Sequence, residues 1–254
     1  MIRNPNHTSI PSRLRIGLCP ISLIAAAVLA LAEVSSSFLN GQSSPDEGTP
    51  SCNYVPLLIE RFDTVTPPAL PPGWSSTTWV TSNELFVCSY PNAAFVDERT
   101  LNSDKQLLSP NIYLIQGGED LWVSFCNDFN MQDGFDGGVL EVSLDNGLTF
   151  QDIIAAGGTF VSGGYTGTIS SCCGNPLAGR QAWTGNSRGE VYTALSVRIP
   201  AANMMMLRWR MGTDSSIEGM GWRIDNIFVT QCEPTPTPVP SPRPRPTRVP
   251  RPSP

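Results

Sequence analysis

The sequence is almost without histidine. Its one copy, His7, lies in a leader that carries the signals for removal, so the processed chain has none. That excludes Ser-His-Asp and Cys-His nucleophilic sites, histidine-ligated zinc and the HExxH protease helix. Lysine is as scarce, with Lys105 the single copy. Between Cys52 and Cys232, 18 Asp and Glu residues stand against 9 Arg and Lys, a net charge of −9. A surface of that sign repels phosphate backbones and argues against a nucleic-acid partner. No Cys-x-x-Cys spacing occurs, so dithiol redox chemistry and a zinc ribbon are both unsupported. The glycine-rich run 157–167 lacks the Lys-Ser/Thr that ends a phosphate-binding loop, and it reads as a mobile surface loop.

The two ends have compositions of their own. Arg13 and Arg15 precede an apolar run that closes on Ala30-Leu31-Ala32, which together predict a secretory signal peptide over residues 1–32. The apolar stretch contains Pro20 and falls at the lower limit for a membrane span. Residues 33–51 are polar and turn-rich, a disordered spacer. Over residues 233–254 proline recurs at nearly every second position, with Arg243, Arg245, Arg248 and Arg251 between. Such a tail adopts extended polyproline II and reaches roughly 65 Å at ~3.1 Å per residue. It serves as a stalk, and its positive charge suits contact with an anionic cell envelope. The expected location is therefore secreted or cell-surface.

The middle, residues 52–232, reads as one all-β domain. Its clearest element is a hairpin within 135–150: Leu140, Val142 and Leu144 alternate with Glu141 and Ser143, and Asp145-Asn146-Gly147 turns the chain. Asn-Gly supplies the positive φ that a type I′ turn needs, and Gly137-Gly138 is expected to allow a sharp bend after Asp136. Further strands are predicted over 54–62, 79–80, 85–87, 94–96, 107–108 and 112–115. In 121–125, Leu121, Val123 and Phe125 share a face. Val191, Thr193, Leu195, Val197 and Ile199 share another, Leu207, Trp209 and Met211 a third, and 222–230 closes the domain. Short alternating runs between turn residues predict an antiparallel two-sheet β-sandwich of jelly-roll type. Residues 177–180 form one helical turn at most.

Six cysteines follow the leader: Cys52, Cys88, Cys126, Cys172, Cys173 and Cys232. An even number in an exported chain predicts disulfides. Cys52 and Cys232 bracket the domain, and joining them constrains the unfolded chain most, by ~4–5 kcal/mol. The vicinal Cys172-Cys173 either closes on itself or sends its members separately to Cys88 and Cys126.

Two kinds of binding site are considered. Calcium is held by carboxylate and carbonyl oxygens, and Asp128, Asp133 and Asp136 form a dense loop cluster entering the hairpin, with Asp97 and Glu98 as lesser candidates; the plainer reading is solvated carboxylates. Sugars need aromatic faces, and Trp74, Trp79, Trp183, Tyr165 and Tyr192 are the platforms weighed, Trp74 and Trp183 foremost. Trp209 and Trp222 lie in strand patterns and are assigned to the core.

The order of motifs resembles the MAM-like, concanavalin-like jelly-roll domains of secreted bacterial proteins, including those accessory to immune-inhibitor-A-type metallopeptidases. The carrying residues are Glu60-Arg61-Phe62-Asp63 with Pro72-Gly73-Trp74, then Ala94-Phe95-Val96, Leu107-Leu108-Ser109-Pro110, the run 135–143, Ala182-Trp183-Thr184-Gly185, and the closing run 221–227. The resemblance implies a two-sheet sandwich acting in adhesion or as an accessory module. It also implies a structural cation, matched by Glu60, Asp63 and Asp225, with calcium the expected ion. The metal-binding catalytic domain of the peptidase partners is missing, as is the Glu-x-Asp-x-x-Glu strand signature of concanavalin-like glycosidases. The expectation is a non-catalytic adhesion or ligand-binding domain whose partner is a cell-surface protein or glycan. The alternatives are a carbohydrate-binding module and, behind it, a carboxylate-based glycoside hydrolase.

Overall fold

The computed structural model describes residues 53–84, 88–115, 120–199 and 202–233. The signal peptide, the spacer, Cys52, the strand expected at 85–87 and the proline-rich tail from residue 234 on lie outside the described residues, while Glu233 ends the last strand. In chain order the strands are β1 (Asn53–Glu60), β2 (Ser75–Ser76), β3 (Val80–Ser82), β4 (Ala93–Val96) and β5 (Ser103–Leu108). Then come β6 (Ile112–Tyr113), β7 (Leu121–Asn130), β8 (Gly137–Ser143), β9 (Gln151–Asp152) and β10 (Gly158–Ser162). The last are β11 (Gly167–Thr168), β12 (Gln181–Ala182), β13 (Val191–Val197), β14 (Met204–Thr213) and β15 (Gly221–Glu233). No helix is present among the described residues.

Thirteen of the strands form two antiparallel sheets that enclose the main apolar core, and β11 and β12 pair with each other apart from them. The first runs β10-β13-β7-β15-β4-β3, with β1 also paired to β15; the second runs β2-β5-β14-β8-β9, with β6 on β14. Alternation explains the layering. Leu121, Val123 and Phe125 of β7 point inward, as do Leu207, Trp209 and Met211 of β14, and all are buried. Five of the six tryptophans fill the space between the sheets. Phe62, Trp74, Trp209, Phe125, Trp183, Trp222 and Trp79 form a connected series of edge-on and tilted contacts, with centroids 5.1–5.8 Å apart. Such ring geometries add ~0.5–1.5 kcal/mol per pair beyond area burial.

The central hairpin is present, with Asn146 and Gly147 at φ 61° and 82°. Its pairing starts only at Val142↔Gln151, so the connection is longer than a two-residue turn. Ser143 and Asp145 stiffen it: Ser143 Oγ accepts from Gly147 N, and Asp145 accepts from Thr149 N. Two expectations are corrected. Gly137 and Gly138 do not adopt positive φ; a Cβ on Gly138 would stand 2.4 Å from the Trp222 ring, and one on Gly137 2.7 Å from Ile169 and the Trp183 carbonyl oxygen. The glycine-rich run is no free loop, since β10 lies within it and pairs with β13, Phe160 opposite Leu195.

The outer face of the second sheet carries an ionic lattice. Glu141, 2% exposed, receives Arg180 at 2.5 Å and Arg208 at 2.5 Å, and Arg210 approaches to 3.5 Å. Arg210 also grips Asp104 with two bonds of 2.8 Å. Burial acts to raise the Asp104 carboxyl, but the Arg210 fork outweighs it and holds it below its usual 3.8. A depressed folded-state value stabilises above the unfolded value and is lost as pH falls through the folded one. Asp104→Asn is therefore expected to lower the urea midpoint at pH 7 but to match wild type near pH 2. Equal offsets at both pH values would contradict this.

Candidate functional site

The sixth tryptophan, Trp122, stands on the opposite side of β7 from Leu121 and Val123, on the outer face of the first sheet. Register aligns a row of outward residues there: Trp122 opposite Thr230 and Ser196, Ser124 opposite Phe228 and Ala194, Cys126 opposite Tyr192. Tyr54, at the start of β1 and paired with Cys232, accepts a 3.0 Å hydrogen bond from Trp122 Nε1 through its hydroxyl. Their rings meet edge-on at 6.5 Å. Ser124 and Ala194 are small, so the sheet surface dips between the aromatic walls. The result is a cavity of about 300 Å³ lined by Tyr54, Trp122, Tyr192 and Phe228 over that floor. It continues past Tyr192 and Phe228 into a second hollow of about 540 Å³ that adds Arg61, Ser89, Glu190 and Asn226. Tyr192 is 64% exposed and Tyr54 47%, a large aromatic area for residues on a sheet face.

Phe228 is in this groove because of one extra residue. The β15–β7 register shifts between Asp225 and Phe228, and Asn226 takes φ 49°, a bulge that re-aims every side chain after it. Ile227 consequently enters the core and Phe228 turns outward, with the Arg61 guanidinium 6.0 Å from its ring centroid.

The far wall is the segment that begins at Cys88, and it is held by residues that the sequence offered as cation ligands. Cys88 is bonded to Cys126 on β7. Ser89 N donates to Asp225 Oδ2 at 2.7 Å, and Ser89 Oγ lies near both Asp225 and Asp63. Asn92 donates to Asp63, Phe62 and Val65. Burial pushes the Asp225 carboxyl up to about 6 against the Ser89 and Asn226 amides, and nearby Asp63 adds to the rise. Asp63 and Asp225 are thus brought together, whereas Glu60 is engaged elsewhere. It accepts from Arg61 N, Phe62 N and Trp74 Nε1, which fixes the positive-φ turn at Phe62. These three carboxylates serve N–H and O–H donors rather than converging on one point.

The second acidic cluster also disperses. Asp128 accepts from Ser187 Oγ, Asp133 sits exposed beside Gly185, and Asp136 is fully buried and accepts from Asp214 N. Among the described residues, one group of three or more His, Cys, Asp and Glu side chains has donor atoms within 4.8 Å: Cys88, Cys126 and Glu190. Its two sulfurs are bonded to each other, so it offers no metal site.

Trp74 and Trp183 are corrected as sugar platforms. They are 7% and 1% exposed, and Trp183 Nε1 is spent on Gly163 O. Trp79 is equally buried, and Tyr165 packs against Phe160 and Trp183. Of the aromatic residues weighed, Tyr192 alone lies in the groove. Trp122, Tyr54 and Phe228 were missed, although the alternation that sends Leu121 and Val123 inward also sends Trp122 out. Cys172 and Cys173 close on each other, which settles the choice left open for that pair. Cys232 is disulfide-bonded, and its expected partner Cys52 lies outside the described residues.

The chain is therefore an antiparallel β-sandwich with an aromatic groove on one sheet. No protein-family model matches the sequence, and no curated protein matches it. Solved structures similar to it include the CBM22-1 xylan-binding domain of Paenibacillus barcinonensis Xyn10C, at 9% identity and TM-score 0.43, covering 74% of this chain and 100% of that one. Another is the K1 cleaved adhesin domain of Lys-gingipain from Porphyromonas gingivalis W83, at 14% identity and TM-score 0.38, covering 68% and 96%. A third is TmCBM61 in complex with β-1,4-galactotriose, at 9% identity and TM-score 0.38, covering 61% and 85%.

Proposed function

We propose that the protein is an exported, non-catalytic binding domain whose groove takes an extended glycan. The observation that carries this reading is the groove on the first sheet, where exposed Tyr54, Tyr192 and half-buried Trp122 and Phe228 flank a floor of Ser124 and Ala194. An open trough of aromatic faces above small residues suits a flat, apolar ring face. Ser89, Glu190, Arg61 and Asn226 at one end supply hydrogen-bond partners for hydroxyls. The contrast between the two sheets supports the assignment, because the outer face of the second is already covered by its own arginines and carboxylates. Glu190 is the single carboxylate among the residues lining the groove. Glycoside hydrolysis ordinarily needs two, so the arrangement favours binding over turnover. The predicted signal peptide and stalk would then display the groove outside the cell.

The test is affinity electrophoresis and calorimetry of the oxidised chain against a panel of soluble plant and bacterial polysaccharides. Saturable binding to at least one is expected, with Tyr192→Ala weakening it about 30-fold, as for a central aromatic contact worth about 2 kcal/mol. Leu148→Ala, an exposed change on the distant hairpin turn, should leave binding unaltered. Binding to none of the panel, or equal binding by the Tyr192 variant, would remove the groove as a glycan site.

A further inference from the structure

At one end of the sandwich, five chain segments bring together acids that the groove does not use. Glu98 follows β4, Asn130 ends β7, Asp136 precedes β8, Asp214 follows β14, and Gly219 stands just before β15. Glu98, Asp136 and Asp214 are 1%, 0% and 1% exposed. One oxygen of each is satisfied: Glu98 Oε1 accepts from Gln132 N at 3.1 Å, Asp136 Oδ1 from Asp214 N at 2.6 Å, and Asp214 Oδ1 from Ser216 N at 2.6 Å. The other oxygens, Glu98 Oε2, Asp136 Oδ2 and Asp214 Oδ2, are buried and make no well-formed hydrogen bond, the Gly219 amide being the donor nearest Glu98. The Glu98 and Asp136 carboxyls are within hydrogen-bonding reach of each other, and no salt bridge reaches any of the three among the described residues.

Two carboxylates within hydrogen-bonding reach of each other in a buried site repel when both are charged and are stable only with a positive charge or a proton between them. The surroundings favour a cation. A Cβ on Gly219 would fall 2.0 Å from Glu98 Oε2 and 2.3 Å from the Asn130 carbonyl oxygen. Only glycine lets the backbone pass so close, and the two oxygens, a carboxylate and a carbonyl, therefore lie within about 4.3 Å of each other beside it. That donor set, all oxygen and part backbone, is the one calcium selects. Burial first, then the Asp136 carboxyl, pushes Glu98 up to about 8, partly offset by the Gln132 and Gly219 amides.

We propose that Glu98 and Asp136, with the Asn130 carbonyl, form a calcium site that ties the two sheets together at this end, distinct from the Asp63–Asp225 pair beside the groove. Asp214 backs the site by fixing Asp136 through its amide.

The test is calorimetric titration of the chelator-stripped, oxidised full chain with calcium chloride at neutral pH, alongside thermal unfolding with calcium or with EDTA. One equivalent of calcium is expected to bind, with a rise in Tm of roughly 5–10 °C at calcium 100 times its Kd. Glu98→Gln keeps the shape and lets its amide donate to Asp136. It should fold with an EDTA Tm at least equal to wild type and show no calcium response. Asp63→Asn should keep that response. An absence of heat together with superimposable wild-type melts would overturn the proposal in favour of a proton shared between the two acids. Undiminished binding by Glu98→Gln would overturn it by placing calcium elsewhere.

Discussion

Replacing Glu141 with alanine is expected to lower the unfolding free energy by about 3–5 kcal/mol, the range for removing one partner of a buried ion pair. Glu141 is buried under Arg180, Arg208 and Arg210. Its loss leaves three guanidinium groups crowded on the sheet with no central counter-charge. Arg180 keeps Asp152, and Arg210 keeps Asp104. Arg208 keeps the Phe150 ring, its centroid 3.9 Å from the guanidinium carbon, and a hydrogen bond to Gln106, but no carboxylate at ion-pair distance. The deficit is thus concentrated on Arg208. Urea unfolding should show a large fall in midpoint for Glu141→Ala and a smaller one for the double variant Glu141→Leu with Arg208→Met. If the two variants lose the same stability, the arginines are adequately solvated and the lattice is decorative.

The second large effect concerns Gly138. An added methyl would stand 2.4 Å from one Trp222 ring carbon and 2.7 Å from two more. Trp222 cannot retreat, because Trp79 and Trp183 pack on it and its Nε1 donates to Asn127 at 2.6 Å. Overpacking in a well-filled core typically destabilises by about 1–3 kcal/mol. Gly138→Ala should reach the upper end of that range, and Gly138→Val should prevent folding. Thermal unfolding followed by near-ultraviolet circular dichroism would read both the stability and the tryptophan packing. A wild-type Tm for Gly138→Ala would mean that Trp222 has room to move.

The contrast between these two sites shows how far local pattern reaches. Glu141 reads in sequence as an ordinary solvent-side residue of an alternating strand. It does point away from the core, yet it is buried. Its covering arginines come from β14 and from the segment before β12, 39 to 69 residues away along the chain. Gly137-Gly138 reads as a backbone hinge, because glycine before a strand is a turn signal. The demand on it instead comes from a tryptophan on β15, which no local pattern can announce.

The groove was half legible. The alternation in β7 and β13 places Trp122 and Tyr192 on one sheet face, opposite Leu121, Val123 and Leu195. Phe228 could not be placed by period-two counting, because the bulge at Asn226 reverses the pattern midway along β15. Trp74 and Trp183, in loops rich in glycine and proline, resemble exposed platforms. They are drawn inward because large indole surfaces gain most from burial, and the two sheets leave room for five of them.

By itself the sequence determined the all-β class, the turn at Asn146-Gly147 and the inward faces of β7, β13 and β14. These follow from local causes: side-chain alternation, positive-φ turn residues and composition. Tertiary structure alone decided which outward face stays open, how the cysteines at 88, 126, 172 and 173 are joined, and which carboxylates meet. Glu98, Asp136 and Asp214 are far apart in the chain and share no motif. They converge because the ends of β4, β8 and β14 are brought to the same end of the sandwich, and strand pairing between distant segments sets that geometry.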